Sequence, residues 1–142
     1  MRVVKDILTI KGGDVKTVDE SDTVYSAAEA MESNGIGALV VTKNGTLTGI
    51  VSERDCVCKL TLLRKSADDT LVSDIMTRKV LVVKEGTPIN ECMALMSAKH
   101  LRHLPVMQGK VLKGIISIGD VVKEVIRQQD LEIQQLQGYI YS

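Results

Sequence analysis

A short motif that occurs twice carries the side chains in this sequence best suited to bind a polar ligand. The motif reads Gly-Ile-Val-Ser-x-x-Asp at Gly49–Asp55 and Gly-Ile-Ile-Ser-x-x-Asp at Gly114–Asp120. A carboxylate at a helix start can accept both hydroxyls of a ribose diol, while neighbouring N–H groups face a phosphate. Ser-x-x-Asp is also a capping box, in which Ser52 and Ser117 are simply helix N-caps. Spacing alone leaves both interpretations open.

Other reactive residues do not form a pattern that predicts catalysis or metal binding. Cys56 and Cys58 lie two positions apart on a predicted helix and diverge around it, unlike a zinc-binding pair. Cys92 falls on the apolar face of another predicted helix, and a metal site formed with His100 and His103 has little support. No Ser/Cys–His–acid spacing is present, so we expect neither a catalytic residue nor a metal ligand.

The composition excludes several classes of protein. The chain has 142 residues, with 18 Lys+Arg against 18 Asp+Glu, and its three Tyr stand without any Phe or Trp. A neutral chain with few aromatic side chains lacks the basic face and stacking platform of a nucleic-acid binder. The longest apolar runs are strand-sized, which predicts no membrane span, and the N-terminus lacks a signal-peptide pattern. Three cysteines without framework spacing indicate free thiols and a cytoplasmic location.

The chain contains an internal sequence repeat. Sliding the sequence along itself by 65 residues places Val18 on Val83, Leu39 on Leu104 and the first motif on the second. Upstream, residues 6–9 match residues 74–77 at a shift of 68, so the first copy carries three extra residues. We therefore predict two repeats, 1–68 and 69–142, joined by a polar linker over residues 65–70.

Each repeat is predicted to run strand, helix, strand, strand, helix, which is an α/β fold. The predicted elements are the first strands Val15–Val18 and Val80–Val83, the helices Val24–Asn34 and Ile89–Lys99, the hairpin strands Ala38–Thr42 and Leu47–Val51 with their second-repeat counterparts, and closing helices from about Glu53 and about Gly119. Asn44-Gly45 is a strong two-residue hairpin signal, and Gln108-Gly109-Lys110 takes its place in the second repeat.

The last helix is predicted to run past the length that its own repeat can bury. Its apolar residues keep near-heptad spacing at Val122, Ile126, Ile133, Leu136 and Ile140. A frayed surface helix is one interpretation of this pattern. We favour the other, a contact with a partner helix in a homodimer.

The repeated unit resembles a CBS (cystathionine β-synthase) domain, and a tandem pair of such domains is called a Bateman module. The resemblance covers about Val4 to Ile126 and is strongest at the two closing motifs. It is carried by Asp22-Thr23-Val24, Gly35–Val41, Ser52-Glu53-Arg54-Asp55, Arg102–Val106 and Ser117-Ile118-Gly119-Asp120. It implies two tandem β-α-β-β-α repeats packed with pseudo-two-fold symmetry, as in small stand-alone CBS-pair proteins without an enzyme domain.

The resemblance also implies ligand-binding residues. CBS pairs bind adenosine-containing ligands in clefts between the repeats, which nominates Asp55 with Ser52, and Asp120 with Ser117, for the ribose. Arg54 lies inside the first motif and is expected at a phosphate, and the resemblance implies the same for Arg102 and His103. The alternative for Arg102 and His103 is a solvated arginine and a histidine hydrogen-bonded at a strand edge. Aliphatic side chains and backbone groups are expected around adenine, in the segments that contain Ile75, Met76, Thr77 and Val80, and Ile7 and Thr9.

The implied function is that of a regulatory, non-catalytic sensor of AMP, ADP or NAD(H). Binding would shift the population of repeat or protomer arrangements, and an unidentified regulated protein would respond to that shift. S-adenosylmethionine and guanine nucleotides remain open as ligands. The alternative is a structural or protein-interaction module with empty or degenerate sites, in which both motifs act only as caps.

Overall fold

A computed structural model of the chain describes residues 2–12 and 14–141. It contains the following elements: α1 (Val4–Lys11), β1 (Thr17–Asp19), α2 (Val24–Asn34), β2 (Ala38–Lys43), β3 (Thr46–Ser52), α3 (Glu53–Leu63), α4 (Val72–Ile75), α5 (Ile89–Lys99), β4 (His103–Gln108), β5 (Val111–Ser117) and α6 (Ile118–Tyr141). The helices α2 and α5 begin and end at the predicted residues, and the expected α/β class is confirmed.

Helix boundaries follow local capping chemistry. The Thr23 hydroxyl accepts a hydrogen bond from the Ser26 backbone N–H at 3.1 Å and so caps the start of α2. At the other end, Gly35 adopts a left-handed conformation with φ of 61° and returns its N–H to the last turn. These signals lie within a few residues of each other in sequence, which is why the helix could be predicted from the sequence.

The chain forms two compact units whose limits differ from those of the sequence repeats. One unit is Asp14–Leu81, and the other joins the N-terminal segment up to residue 13 with the chain from Val82 onward. We call them the central unit and the terminal unit. The short helices α1 and α4 lie at matching positions near the start of the two repeats. Each is therefore part of the unit that contains the other repeat's hairpin.

The central unit has a three-stranded sheet. In it β1 pairs parallel with β2, and β2 pairs antiparallel with β3, with Val40 opposite Ile50. The predicted turn joins β2 to β3, with Asn44 at φ of 52° and Gly45 at φ of 79°. Positive φ at both central residues matches the right-handed twist of the strands and explains the Asn-Gly pair.

The terminal unit has a two-stranded sheet, so the predicted strand Val80–Val83 is wrong. Only Val83 pairs with β4, through an isolated parallel bridge to Val106. Its N–H donates to the Pro105 carbonyl at 3.0 Å. The next upstream bond of a parallel ladder would need an N–H from residue 105, and proline has none. Val40 holds the matching position in the central unit, where β1 forms.

Each unit has its own apolar core. In the central unit Val24, Met31 and Leu39 are at most 2% exposed, and Val72 and Ile75 of α4 join them. In the terminal unit the core includes Val4 and Ile7 of α1 together with Cys92, Leu104 and Ile116. Burial raises the pKa of Cys92 to about 11, so it behaves as a small apolar side chain, as expected.

The closing helix α6 is much longer than its counterpart α3, as predicted. The five near-heptad apolar residues of α6 are all exposed, from 42% at Val122 to 74% at Ile140. On a helix they fall within one narrow stripe. Across the part of the chain that the structure describes, no helix has both the length and the apolar content needed to cross a membrane.

Candidate functional site

The Ser52–Asp55 motif lies where β3 ends and α3 begins, and it forms a complete capping box. The Ser52 hydroxyl accepts the Asp55 N–H at 3.1 Å, and Asp55 Oδ2 accepts the Ser52 N–H at 3.0 Å. The Ser52 hydroxyl also lies 3.1 Å from Asp55 Oδ2. The cap follows from the sequence alone, because serine at the N-cap and an acid at the third helical residue satisfy each other's backbone donors.

The Ser117–Asp120 motif repeats this geometry in the terminal unit. The Ser117 N–H donates to Asp120 Oδ2 at 2.8 Å, and the Asp120 N–H donates to the Ser117 hydroxyl at 3.1 Å. Both carboxylates lie at a helix N-terminus, where the helix dipole favours negative charge. The structure therefore places all four predicted ribose residues at matching positions in the two units.

The caps use only one oxygen of each carboxylate. Among the described residues, Oδ2 accepts every hydrogen bond made to the carboxylates of Asp55 and Asp120, and no donor is hydrogen-bonded to Oδ1 of either. Oδ1 of Asp55 has an ion pair with Lys59 at 3.3 Å. Each motif can therefore cap a helix and still offer a carboxylate oxygen to a hydroxyl donor.

Two lysines contact these carboxylates, and sequence reasoning missed both. The Lys59 ammonium, one turn along α3 from Asp55, also donates to the Ile75 carbonyl at 2.7 Å. The Lys11 ammonium, at the end of α1, donates to Asp120 Oδ2 at 2.7 Å and to the Ile115 carbonyl at 3.0 Å. The i,i+4 spacing of Lys59 from Asp55 was a usable signal. Lys11 and Asp120 are far apart in sequence and gave none.

Charge and burial perturb two groups in the terminal unit. Burial alone would raise the pKa of Asp120, but hydrogen bonds from Lys11 and Ser117 outweigh it and hold that pKa below its ordinary value. Burial lowers the pKa of His103, and the Lys11 and Arg102 charges lower it further against the opposing pull of Asp120. At neutral pH this site therefore contains an ionised Asp120 beside a neutral His103.

The three predicted phosphate residues lie in different settings. His103 begins β4 and pairs with Ser117 across the hairpin, so it lies beside the terminal motif. Arg102 is exposed next to it, and its carbonyl accepts the Ile118 N–H at 2.8 Å. Arg54 is an exposed residue in the first turn of α3. A phosphate role for these residues remains a prediction.

Each segment predicted to contact adenine lies beside the closing motif of the other repeat. Thr77, near the start of the second repeat, forms a bridge with Ile50 of the first repeat's motif strand. Ile7, from the start of the first repeat, lies with Asp120 along one groove of the terminal unit. Ile75 and Ile7 are 1% and 4% exposed, so each is mainly a core residue.

The other members of the predicted adenine set differ in exposure. Met76 is buried in the core of the central unit, Thr77 is exposed and Val80 is partly exposed. The Thr9 hydroxyl donates to the Lys5 carbonyl one turn back at 2.9 Å. Their contact with a base stays a prediction.

A groove of about 200 Å³ lies beside Asp120 in the terminal unit. It is lined by Ile7, Ile10, Lys11, Asp120, Lys123, Glu124 and Arg127. Glu124 is 4% exposed and lies 3.3 Å from the Arg2 guanidinium, so its charge is neutralised within the protein.

The family model of the CBS domain matches residues 4–61 and 72–127. The chain therefore belongs to the CBS domain family and carries two CBS domains in tandem, a Bateman module. CBS pairs are generally regulatory rather than catalytic modules.

Individual relatives agree with this assignment. The CBS domain-containing protein CBSX3, mitochondrial, from Arabidopsis thaliana is 38% identical over 149 residues, covering 96% of this chain and 71% of the relative. A solved protein with CBS domains from Burkholderia ambifaria MC40-6 is 44% identical, with a TM-score of 0.86 over 90% of this chain and 96% of that one.

A more distant structure shares the fold and contains ligands. The CBS domain pair of protein MJ0100 was solved in complex with 5′-methylthioadenosine and S-adenosyl-L-methionine. It is 24% identical to this chain, with a TM-score of 0.80 over 90% of this chain and 98% of that one.

Proposed function

We propose that this CBS pair binds adenosine-containing ligands at the Ser52/Asp55 and Ser117/Asp120 motifs and acts as a non-catalytic sensor. The observation that carries the proposal is that Oδ1 of each capping carboxylate accepts no hydrogen bond among the described residues, although the Lys59 ammonium lies 3.3 Å from that of Asp55. Oδ2 completes the helix cap, while Oδ1 is left for a hydroxyl donor such as a ribose diol.

The surroundings of both motifs favour a nucleoside over a simple anion. Aliphatic residues Ile7 and Ile10 line the groove beside Asp120, and Thr77 runs beside Ile50 with its backbone paired. Aliphatic walls suit an adenine base in a chain that has no Phe or Trp. The ligands of the MJ0100 pair, 5′-methylthioadenosine and S-adenosyl-L-methionine, belong to the same chemical class.

Within this class we favour AMP, ADP or NAD(H) as ligand. Arg102 and His103 beside the terminal motif, and Lys11 within 2.7 Å of Asp120, are cationic or hydrogen-bonding groups of the kind that bind one or two phosphates. Lys123 and Arg127 also line the groove beside Asp120 and add further positive charge there.

Signalling would follow from differential affinity. A ligand that binds one arrangement of repeats or protomers more tightly shifts the population toward it, and a regulated protein recognises that arrangement. The exposed stripe on α6 is our proposed homodimer contact. We keep a cytoplasmic location as a proposal, although the Arabidopsis relative is named as mitochondrial.

The first test is a thermal-shift panel on ligand-stripped protein with AMP, ADP, ATP, NAD⁺, NADH and S-adenosylmethionine. A ligand at about a hundred times its Kd stabilises the folded state by roughly 2.7 kcal/mol, which is several degrees in a domain of this size. We expect at least one adenine ligand to raise the Tm, and Asp55→Asn or Asp120→Asn to reduce that rise.

The control for these variants is Asp6→Asn. Asp6 is also the third residue of a helix and accepts the Val3 N–H at 2.9 Å, but it lies outside both motifs. All three variants weaken a cap by about 0.5–2 kcal/mol, so a lower Tm without ligand decides nothing. A ligand-induced rise that survives in both motif variants would contradict the proposed sites.

A second function is favoured by the completeness of the two capping boxes. Within each Ser-x-x-Asp motif, the serine and the aspartate satisfy each other's backbone N–H groups without any ligand. A structural or protein-interaction module would need nothing more from these residues. It predicts that the motif variants and the Asp6 control lose stability alike and that none of the six ligands raises the Tm.

A further inference from the structure

The two motifs differ in charge at one position that both units share. In the central unit the Gly37 carbonyl accepts the Glu53 N–H at 3.0 Å, and in the terminal unit the Arg102 carbonyl accepts the Ile118 N–H at 2.8 Å. Each of these residues precedes a strand whose first residue pairs with the motif serine. Gly37 and Arg102 therefore occupy equivalent places beside the first turn of the closing helix.

In the central unit this place holds a negative charge. A Cβ atom built on Gly37 would lie 4.0 Å from Oε2 of Glu53. Glu53 is exposed, and among the residues that the structure describes it makes no ion pair. Its carboxylate thus adds a negative charge next to Asp55, whose own charge is already paired with the Lys59 ammonium at 3.3 Å.

In the terminal unit the same place holds a positive charge. Arg102 is exposed and has no ion-pair partner within the described ranges, and the counterpart of Glu53 is the uncharged Ile118. The Lys11 ammonium lies 2.7 Å from Asp120, and the half-buried His103 pairs with Ser117. The terminal motif therefore has the Arg102 charge and the Lys11 ammonium beside it, and its first helical residue is uncharged.

We infer that the two sites bind different chemical classes of adenosine ligand, an inference that rests on the proposed function. The Ser117/Asp120 site takes a nucleotide with a phosphate, such as AMP. The Ser52/Asp55 site takes an adenosine compound without a phosphate, because Glu53 repels one. A unit charge several ångströms from a phosphate in a partly solvated site changes affinity on the order of tenfold.

Arg54 is the group in the central unit whose positive charge would attract a phosphate and so counteract Glu53. It follows Glu53 on α3 and is therefore rotated about 100° around the helix axis from it. Its counterpart in the terminal unit is Gly119. Arg54 is adjacent to Glu53 in sequence, whereas Lys59 is already paired with Asp55, so the removal of Arg54 is the matched control.

The test follows the backbone N–H signals of Ser52 and Ser117 by NMR while ligand-stripped, full-length protein is titrated with adenosine and, separately, with AMP. We expect adenosine to shift both signals. AMP should shift the Ser117 signal at a concentration at least about tenfold lower than the Ser52 signal. This comparison needs no variant, so it stands even if a substitution impairs folding.

Variants then test which single residues cause the difference in AMP binding between the two sites. Glu53→Gln should lower the AMP midpoint at Ser52 about tenfold and leave the adenosine midpoint unchanged, whereas Arg54→Gly should not lower it. Arg102→Gln should raise the AMP midpoint at Ser117 by a similar factor.

Equal AMP midpoints at the two sites in the wild-type protein, or an unchanged Ser52 midpoint in Glu53→Gln, would overturn the inference while leaving the proposed function in place. Absence of any shift with either ligand would overturn the proposed function itself.

Discussion

At the scale of single residues, the two aspartates of the closing motifs combine a structural role with an open binding capacity. Asp55 and Asp120 each cap a helix through Oδ2. Their cationic neighbours have different origins, because Lys59 belongs to the same helix as Asp55 whereas Lys11 reaches Asp120 from α1. Two motifs that look equivalent in sequence are therefore set in different electrostatic surroundings.

The Lys11–Asp120 pair predicts a pH-dependent effect of Lys11→Met on stability. The lowered pKa of Asp120 means that its ionised form is stabilised by folding. This stabilisation is present above the unfolded value of about 3.9 and is lost as the pH falls through the lower folded pKa. We expect the free energy of unfolding of the variant to be about 0.5–1 kcal/mol lower than that of the wild-type protein at pH 7. The difference is small because the ion pair is partly exposed to solvent.

Urea unfolding of both proteins between pH 7 and pH 2 measures this difference. It should shrink as Asp120 becomes protonated. Lys5→Met, on the same helix at an exposed position without an ion pair among the described residues, is the control. A difference that stays constant down to pH 2 would assign the effect to packing or to the lost bond with Ile115, not to the ion pair.

At the scale of elements, the glycine that opens each motif permits a close approach by another segment. A Cβ atom on Gly49 would lie 2.7 Å from the Thr77 carbonyl oxygen and 2.8 Å from the Met76 sulfur. A Cβ atom on Gly114 would lie 2.6 Å from a methyl group of Leu8. The motif strand thus lies directly against the segment beside α4 in one unit and against α1 in the other.

These contacts predict unequal costs for the two alanine substitutions. Gly49→Ala should lower the free energy of unfolding by about 2–3 kcal/mol, because the backbone carbonyl of Thr77 cannot rotate away from the added Cβ atom. Gly114→Ala should lose at most about 1 kcal/mol, since the Leu8 side chain can change rotamer. Urea unfolding measures both values, with Gly86→Ala as a control in open space. Equal losses would show that the segment beside Gly49 moves as easily as a side chain.

At the scale of the whole molecule, α6 presents an apolar stripe that the terminal unit leaves exposed. Ile133, Leu136 and Ile140 are 51%, 64% and 74% exposed. A helix of 24 residues with such a stripe is suited to pack against another helix. This observation supports the proposed homodimer over a frayed surface helix.

The double substitution Ile133→Asp with Leu136→Asp should convert a dimer into a monomer. Two charges in an apolar helix contact would be desolvated without partners, which is strongly unfavourable. Sedimentation velocity measures the assembly state. The control is Gln134→Asp with Gln135→Asp, which adds the same charges to the same turn away from the stripe. A dimer that persists in the first variant would place the interface elsewhere.

Much of the fold and the core of the candidate site could be predicted from local sequence. The repeat, the limits of α2 and α5, the Asn44-Gly45 turn and the capping serines depend on signals within a few residues of each other. Periodicity and capping chemistry are local, so they are readable without a structure. The length of α6 was likewise evident from its apolar spacing.

Only the tertiary structure decided which segments meet. Lys11 bonds to Asp120 across 109 positions, and α1 and α4 each join the unit that contains the other repeat's hairpin. Pro105 was visible in the sequence, but its effect on the strand predicted at Val80–Val83 depended on which residue it faced. Such contacts depend on the packing of distant segments, where burial and register act together, and no local pattern encodes them.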